Sequence, residues 1–397
     1  MENENIVIVG QQPWDTDIGS NCKNLAEELS KKNTVLYVNS PLDRITWIRG
    51  RNEAKVRRRW NVIRKRLPAL VQLGGSLWNL YPDKLVESIN WLPKGYFFDV
   101  FNKRNNRLLA GAIRDALDEL QLDDFILFND NEMFKGFYLK EMLKPKLSIY
   151  YSRDYMLGVD YWKRHGERLE PLLIGKSDLC FANSIYLAEY CAKYNPNSHY
   201  IGQGCDIEAL DIEGLPEGKP EEFRDIQAPI VGYVGSLDSN RLDIDLIAHI
   251  AKSLPDYQVV LVGPEDTVFQ SSELHTIANI VFLGKKAAGD LPRYINAFDV
   301  CINPQLVNSI TIGNYPRKID EYLAMGKPTV ATYTLTMEAF RDVVRLAKTK
   351  EDFVAHILDA RREDNDELQQ ERRNVAATHT WEQCVREMNR HIGAYVA

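Results

Sequence analysis

Short apolar runs alternate with segments of helical spacing along nearly the whole chain. Residues 5–10 (NIVIVG) are apolar and end in glycine, which predicts a buried parallel strand. The next segment, GSNCKNLAEELSKK, places Leu25, Ala26 and Leu29 on one helical face, and residues 34–41 (TVLYVNSP) read as a second strand. Strand, helix, strand is a βαβ opening. An amphipathic helix is predicted over 107–120 and strands over 125–130 and 147–152. A further strand over 177–183 leads into the helix SIYLAEYCAKY, and HYIGQGCD (199–206) closes this half.

Residues 211–229 are rich in Glu, Pro and Gly and read as a linker. The alternation then restarts. PIVGYVGS, YQVVLVGP, NIVFLG, DVCINP and KPTVATY are strand-like, with helices LDIDLIAHIAKSL, DLPRYINAF and RKIDEYLAMG between them, and the tail over 350–397 is helical and charged. The pattern predicts an N-terminal Rossmann-like domain over 1–210, a linker over 211–228 and a second Rossmann-like domain over 229–375. A C-terminal helix over 376–397 is free to pack back on the first domain. Two doubly wound α/β domains of this kind place their ligand beyond the carboxyl ends of the strands, in a cleft between facing domains.

Composition narrows the picture. The 397 residues are 45% hydrophobic and 26% charged, a soluble globular balance, and the net charge of −7 argues against a nucleic-acid binder. Six cysteines lie far apart with no CxxC or CxxH spacing and read as buried thiols in a reducing compartment. The seven histidines show no ligand spacing. MENENIVIVG leads straight into a strand without a secretory pattern, and no run reaches the length of a membrane span, so a cytoplasmic protein is expected.

The segment with the clearest chemistry is 309–332, SITIGNYPRKIDEYLAMGKPTVAT. Pro316 suits a helix start, Lys318 falls in the first turn with Glu321 on the same face, and Gly326 ends the helix. A helix start carrying a lysine is an anion site, and a carboxylate one turn deeper can accept two ribose hydroxyls. Those are the requirements of a nucleotide-sugar site.

The run Pro-x-Lys-x-x-Glu-Tyr-Leu-Ala-x-Gly-Lys-Pro-x-Val resembles the donor signature of GT-B glycosyltransferases, group 1 and family-4-like. YVGSLDSNRLDIDLIAHIAKSLPDYQVVLVGP resembles the opening of their donor domain, and NIVFLGKKAAGDLPRYINAFDVCINP a later run of it. IGQGCDIEAL is similar to their turn before the linker. PWD at 13–15 and SDLCFANSIYLAEY match acceptor-domain patterns. The likeness covers most of 5–340, and the nearest subgroup is that of bacterial surface or exopolysaccharide assembly. It implies that Glu321 binds the donor ribose and that Lys318, with Arg241, binds the diphosphate. Pro316 would start their helix, Gly235 and Ser236 would admit the phosphates to the backbone, and Leu283 and Gly284 would flank the base. Gly19 and Ser20 would face the diphosphate from the first domain.

Retaining members carry a second glutamate eight positions before the one matched by Glu321, and Gly313 stands there. The stereochemical outcome is therefore open. An inverting enzyme needs a general base, for which Asp154 ranks first, then Asp15 and Asp17. No Asp-x-Asp motif follows a strand, so the resemblance implies a metal-independent hexosyltransferase with no cofactor besides its nucleotide-sugar. Residues 44–66 hold ten Lys or Arg and one Glu, interleaved with Trp47, Ile48, Trp60, Val62 and Ile63. A basic, aromatic segment suits an anionic membrane surface or a lipid-linked acceptor, with the enzyme peripheral on the inner membrane face. A same-fold epimerase and a catalytically inactive nucleotide-sugar-binding scaffold are the alternatives.

Overall fold

The computed structural model describes residues 2–16, 20–205, 207, 210, 214–215 and 218–396. The chain forms two compact units, one of residues 1–202 with 384–397 and one of residues 203–383.

The first unit is built on eight strands: β1 (Asn5–Gly10), β2 (Thr34–Val38), β3 (Leu70–Gly74), β4 (Leu77–Leu80), β5 (Phe125–Asp130), β6 (Leu147–Ser152), β7 (Leu179–Ala182) and β8 (Ser198–Tyr200). They lie in the order β3-β4-β2-β1-β5-β6-β7-β8. All pairs are parallel except the β3–β4 hairpin at one edge. Strands β1, β5 and β6 are buried nearly throughout, as the unbroken apolar runs require when helices cover both sheet faces. The helix Asn21–Ser30 buries Cys22, Leu25, Ala26 and Leu29, the face expected from its spacing.

The second unit has six strands: β9 (Ile230–Val234), β10 (Gln258–Val262), β11 (Ile280–Gly284), β12 (Val300–Asn303), β13 (Thr329–Thr332) and β14 (Arg345–Ala347). Their order is β11-β10-β9-β12-β13-β14, and every pair is parallel. One core packs Val231, Leu246, Ile247, Val259 and Leu261 with Phe353 and Ile357 of the helix Lys350–Glu363. A second joins Ile230, Val234, Val260, Phe298 and Tyr322.

Phe223 belongs to that second core and is fully buried. The described part of the segment read as a linker thus packs into the second unit, and an acidic, Pro-rich composition conceals a single aromatic anchor. The helix Trp381–Val396 gives its last residues to the first unit, where His391 stacks on His199 at 3.8 Å and Cys384, Met388 and Ile392 are buried. All six cysteines are buried, and none is in a disulfide.

Candidate active site

The second sheet changes direction between β9 and β12. From β9 the chain steps outward to β10 and β11, then returns to β12 on the other side. Ligands of such sheets bind beyond the strand ends at that point. Gly235 follows β9 at φ +147° and Gly263 follows β10 at φ +152°, backbone that side chains rarely adopt. A β-carbon on Gly263 would stand 1.8 Å from the Gly235 carbonyl oxygen. One on Gly235 would meet Tyr233 Oη at 2.8 Å and Lys318 Cε at 3.1 Å. The two glycines therefore bring two backbone turns into contact, and the Lys318 side chain lies directly against the first. Its ammonium sits 4.8 Å from the centre of the Tyr233 ring, a cation–π position that aims the charge without neutralising it.

The helix carrying Lys318 runs Lys318–Ala324. It starts two residues later than Pro316, which is buried in the turn before it and accepts from the Ile319 N–H at 2.9 Å. Ile319, Asp320, Tyr322 and Leu323 turn inward. The Tyr322 hydroxyl accepts from the Val234 N–H at 2.9 Å, which ties the helix to the end of β9. Lys318 and Glu321, three apart, are left half-buried on the remaining face. Among the described residues no hydrogen bond engages the Glu321 carboxylate. Burial raises its pKa, opposed by Arg317 and Lys318. Beside it, buried Asp320 accepts from His379 Nδ1 at 2.7 Å and from the Tyr315 hydroxyl at 3.2 Å. Burial raises the Asp320 pKa against these two partners. His379 thus holds the helix from behind.

Arg241 lies on the loop after β9. Its backbone oxygen accepts from Leu306 at 2.8 Å, and Asn308 Nδ2 donates to the Asn240 oxygen at 2.8 Å. The loop is braced on the one following β12, while the Arg241 guanidinium is exposed and approaches Asp238 at 3.8 Å. Ser236 is exposed, and its oxygen accepts from the Tyr233 hydroxyl at 3.3 Å. Leu283 and Gly284 end β11, two strands from β9 or about 10 Å at ordinary strand spacing. Gly284, at φ +63°, borders open space. Gly313 is buried and offers no carboxylate.

In the first unit the direction changes between β1 and β5. Arg153 gathers the polar groups there. Its Nε donates to the fully buried Asp130 at 2.8 Å, one terminal nitrogen to Asp154 at 2.8 Å and the other to Gln11 at 3.1 Å. Asp154 is the more open of the two described candidate bases, 38% exposed. Asp15 is 16% exposed and receives both terminal nitrogens of Arg59, at 2.7 and 3.1 Å. Asp17 and Gly19 lie outside the described residues. Ser20 immediately precedes the helix Asn21–Ser30, buried, with no partner for its hydroxyl among the described residues.

The basic segment forms two helices, Arg44–Gly50 and Ala54–Ile63. Trp47 and Trp60 stack on each other at 4.5 Å, and Val62 is buried. The two tryptophans read as surface anchors are instead spent joining the helices. Ile48 is exposed. Among the described residues no helix is long and apolar enough to cross a membrane, and no group of three His, Cys, Asp or Glu could hold a metal ion.

Sequence reasoning missed Tyr233, Gly263, Tyr322 and Arg153. Gly263 had a visible signal, since VLVGP repeats the strand-then-glycine of YVGS.

Residues 228–363 match the family model described as Glycosyl transferases group 1. A curated relative, the putative teichuronic acid biosynthesis glycosyltransferase TuaH of Bacillus subtilis, is 27% identical over 173 residues, 41% of this chain and 43% of that protein. The match thus spans less than half of that relative's length. Among solved structures, sucrose-phosphate synthase from Thermosynechococcus elongatus aligns with a TM-score of 0.65 at 15% identity, over 98% of each chain. Anabaena HepE in complex with UDP and glucose aligns with a TM-score of 0.62 at 14% identity, over 99% of this chain and 100% of that one. The structure of trehalose-6-phosphate from E. coli bound with UDP-2-fluoro glucose gives a TM-score of 0.67 at 11% identity, over 98% of this chain and 99% of that one. The chain has the GT-B fold of two Rossmann-like domains, and the group 1 glycosyl transferase match falls within its second unit.

Proposed function

We propose that this chain transfers a hexosyl group from a nucleotide-sugar to a glycan or lipid-linked acceptor in surface polysaccharide assembly, without a bound metal or other cofactor. The observation that carries the reading is Lys318, held against the Gly235 turn with no ion pair among the described residues, one helical turn from the Glu321 carboxylate, which no hydrogen bond engages among them. Gly235, Ser236 and Gly263 form a narrow backbone turn to which a diphosphate can approach. Lys318 and the exposed Arg241 supply the countercharge that a metal ion gives in other transferases. Glu321 takes the ribose hydroxyls, and Leu283 and Gly284 border the base. Asp154 is the base that accepts the acceptor's proton, because Asp15 has both oxygens committed to Arg59. The basic helices of 44–66 draw the enzyme to the inner, anionic face of the membrane where a lipid-linked acceptor resides.

The test is donor binding and turnover in Lys318→Ala. A unit charge about 4 Å from a diphosphate is worth roughly 4 kcal/mol at an effective dielectric of about 20. Activity should therefore fall by two orders of magnitude or more, with circular dichroism unchanged. Melting-temperature shifts with UDP-, GDP-, dTDP- and CMP-sugars should persist in EDTA for one base and vanish in the variant. UDP-sugars head the panel because HepE is solved with UDP. Unchanged turnover in the variant rejects the site. Donor binding without transfer to any acceptor favours the inactive scaffold that Gly313 allows.

A further inference from the structure

The helix Tyr96–Leu120 begins inside out. Its first turns bury Phe98, Asn102, Asn105 and Asn106. On the opposite face Tyr96 is 77% exposed, Phe97 63%, Val100 47% and Phe101 37%, and Trp91 just before the helix is 65% exposed. At 100° per residue, positions 96, 97, 100 and 101 form one stripe about 140° wide. Burying asparagines while presenting aromatics is the reverse of what a water-facing helix does, and large apolar groups gathered on a surface mark a contact site.

The stripe is held firmly from behind. Phe98 stacks on His165 at 3.7 Å, Asn105 Nδ2 donates to the Glu87 oxygen at 2.9 Å, and the Trp91 indole donates to the Ser88 oxygen at 2.8 Å. Trp91 links the stripe to the basic helices, and Arg104, one turn beyond Val100, shares Glu87 with Arg44 at 3.4 and 2.8 Å. Ile45, Thr46 and Arg49 of the helix Arg44–Gly50 line a groove of about 450 Å³ together with Trp91, Tyr161 and Arg164. Ile45 and Ile48 are exposed at 38% and 56%, and Tyr161 at 55%. Trp91 thus shares a groove with the first basic helix, while Tyr96, Phe97, Val100 and Phe101 lie on the helix face opposite Phe98, Asn102 and Asn105, which also line that groove.

We infer that Trp91, Tyr96, Phe97, Val100 and Phe101 insert into the interfacial region of an anionic bilayer, beside the 44–66 helices that attract it. Charge complementarity selects this occupant over a second copy of the chain. Residues 44–66 carry ten cations to one anion, and a partner protein of the same net charge of −7 offers no such uniformly anionic plane. Trp and Tyr are the side chains that settle at headgroup depth. The inference adds a hydrophobic anchor to the membrane reading of 44–66 and does not depend on the transfer reaction.

The test is sedimentation with vesicles of phosphatidylcholine containing about one-third phosphatidylglycerol. It compares the wild type, Tyr96→Ser/Phe97→Ser/Val100→Ser, and Arg49→Glu/Arg51→Glu/Arg57→Glu. These side chains are solvent-exposed, so both variants should melt like the wild type. The serine variant should bind at least about tenfold more weakly, and the remainder should disappear at about 1 M salt. The glutamate variant should lose its preference for anionic over neutral vesicles. Wild-type binding by the serine variant, or no binding by the wild type, overturns the inference. So does a wild-type dimer that the serine variant dissolves without change in vesicle binding. If only the glutamate variant binds normally, the reading of 44–66 fails and the aromatic anchor stands.

Discussion

Glu170, in the helix Asp160–Lys176, is 1% exposed and has no cation for a partner among the described residues. The hydroxyls of Tyr150 and Tyr190 donate to its two oxygens at 2.6 and 3.1 Å. These bonds favour the carboxylate, but burial outweighs them and pushes the pKa up to about 7 from a reference of 4.5. A folded-state pKa above the unfolded one means that the acid form stabilises the fold. That stabilisation is complete below about pH 4.5 and is lost as the pH rises towards and through about 7. Integrating the proton linkage between these values gives a cost to the folded state of about 1 kcal/mol at pH 5 and about 3 kcal/mol at pH 8. Glu170→Gln keeps the shape and the hydrogen-bonding capacity without the titration. Urea unfolding of both proteins, followed by tryptophan fluorescence at pH 5 and pH 8, isolates the effect. Any change in packing shifts both comparisons equally, so the quantity to read is the difference between them. The variant should gain about 2 kcal/mol relative to wild type on moving from pH 5 to pH 8. An offset that is the same at both pH values would refute the argument and show that Glu170 does not take up a proton in the folded protein.

Two further outcomes follow from the second unit. Gly263→Ala places a methyl group 1.8 Å from the Gly235 oxygen at an unfavourable φ, so the turn beside Lys318 must open. It should cost about 2–4 kcal/mol in thermal unfolding and weaken nucleotide-sugar binding together, and a normal melt with normal binding would disprove the close approach. Burial raises the Glu321 pKa, so the carboxylate proposed to accept the ribose hydroxyls is lost on acidification at a higher pH than an ordinary glutamate's. Donor affinity measured by calorimetry should fall on acidification through that pH in the wild type, and in Glu321→Gln it should be weak and flat; parallel profiles would exclude Glu321 from the site.

The sheets were legible because their strands are unbroken apolar runs, and β1, β5 and β6 occupy the stretches that the pattern indicates. That Lys318 and Glu321 share one face of a short helix was legible because a helix start, a basic side chain and a carboxylate fall in one short segment. Three features were hidden by the logic that revealed the rest. Periodicity finds helices whose apolar face is buried, so the first turns of Tyr96–Leu120, which expose theirs, fell outside the expected helix over 107–120. The β3–β4 hairpin was passed over although Gly74-Gly75 joins its strands, because its polar positions do not form an apolar run. Tyr233 and Tyr322 look like ordinary core residues in sequence. Only the fold brings one under the Lys318 ammonium and the other onto the Val234 amide.

The first unit is discontinuous, and the order of synthesis acts on that. Residues 203–383 leave the ribosome as one uninterrupted piece, whereas 1–202 must wait for 384–397 before His391 can stack on His199. The part made first is thus completed last. During translation the nascent N-terminal half lacks the helix that buries Cys384, Met388 and Ile392, while the second unit already has all of its strands. A chain cut short just after residue 383 would therefore deprive the first unit of its closing helix and leave the second unit whole.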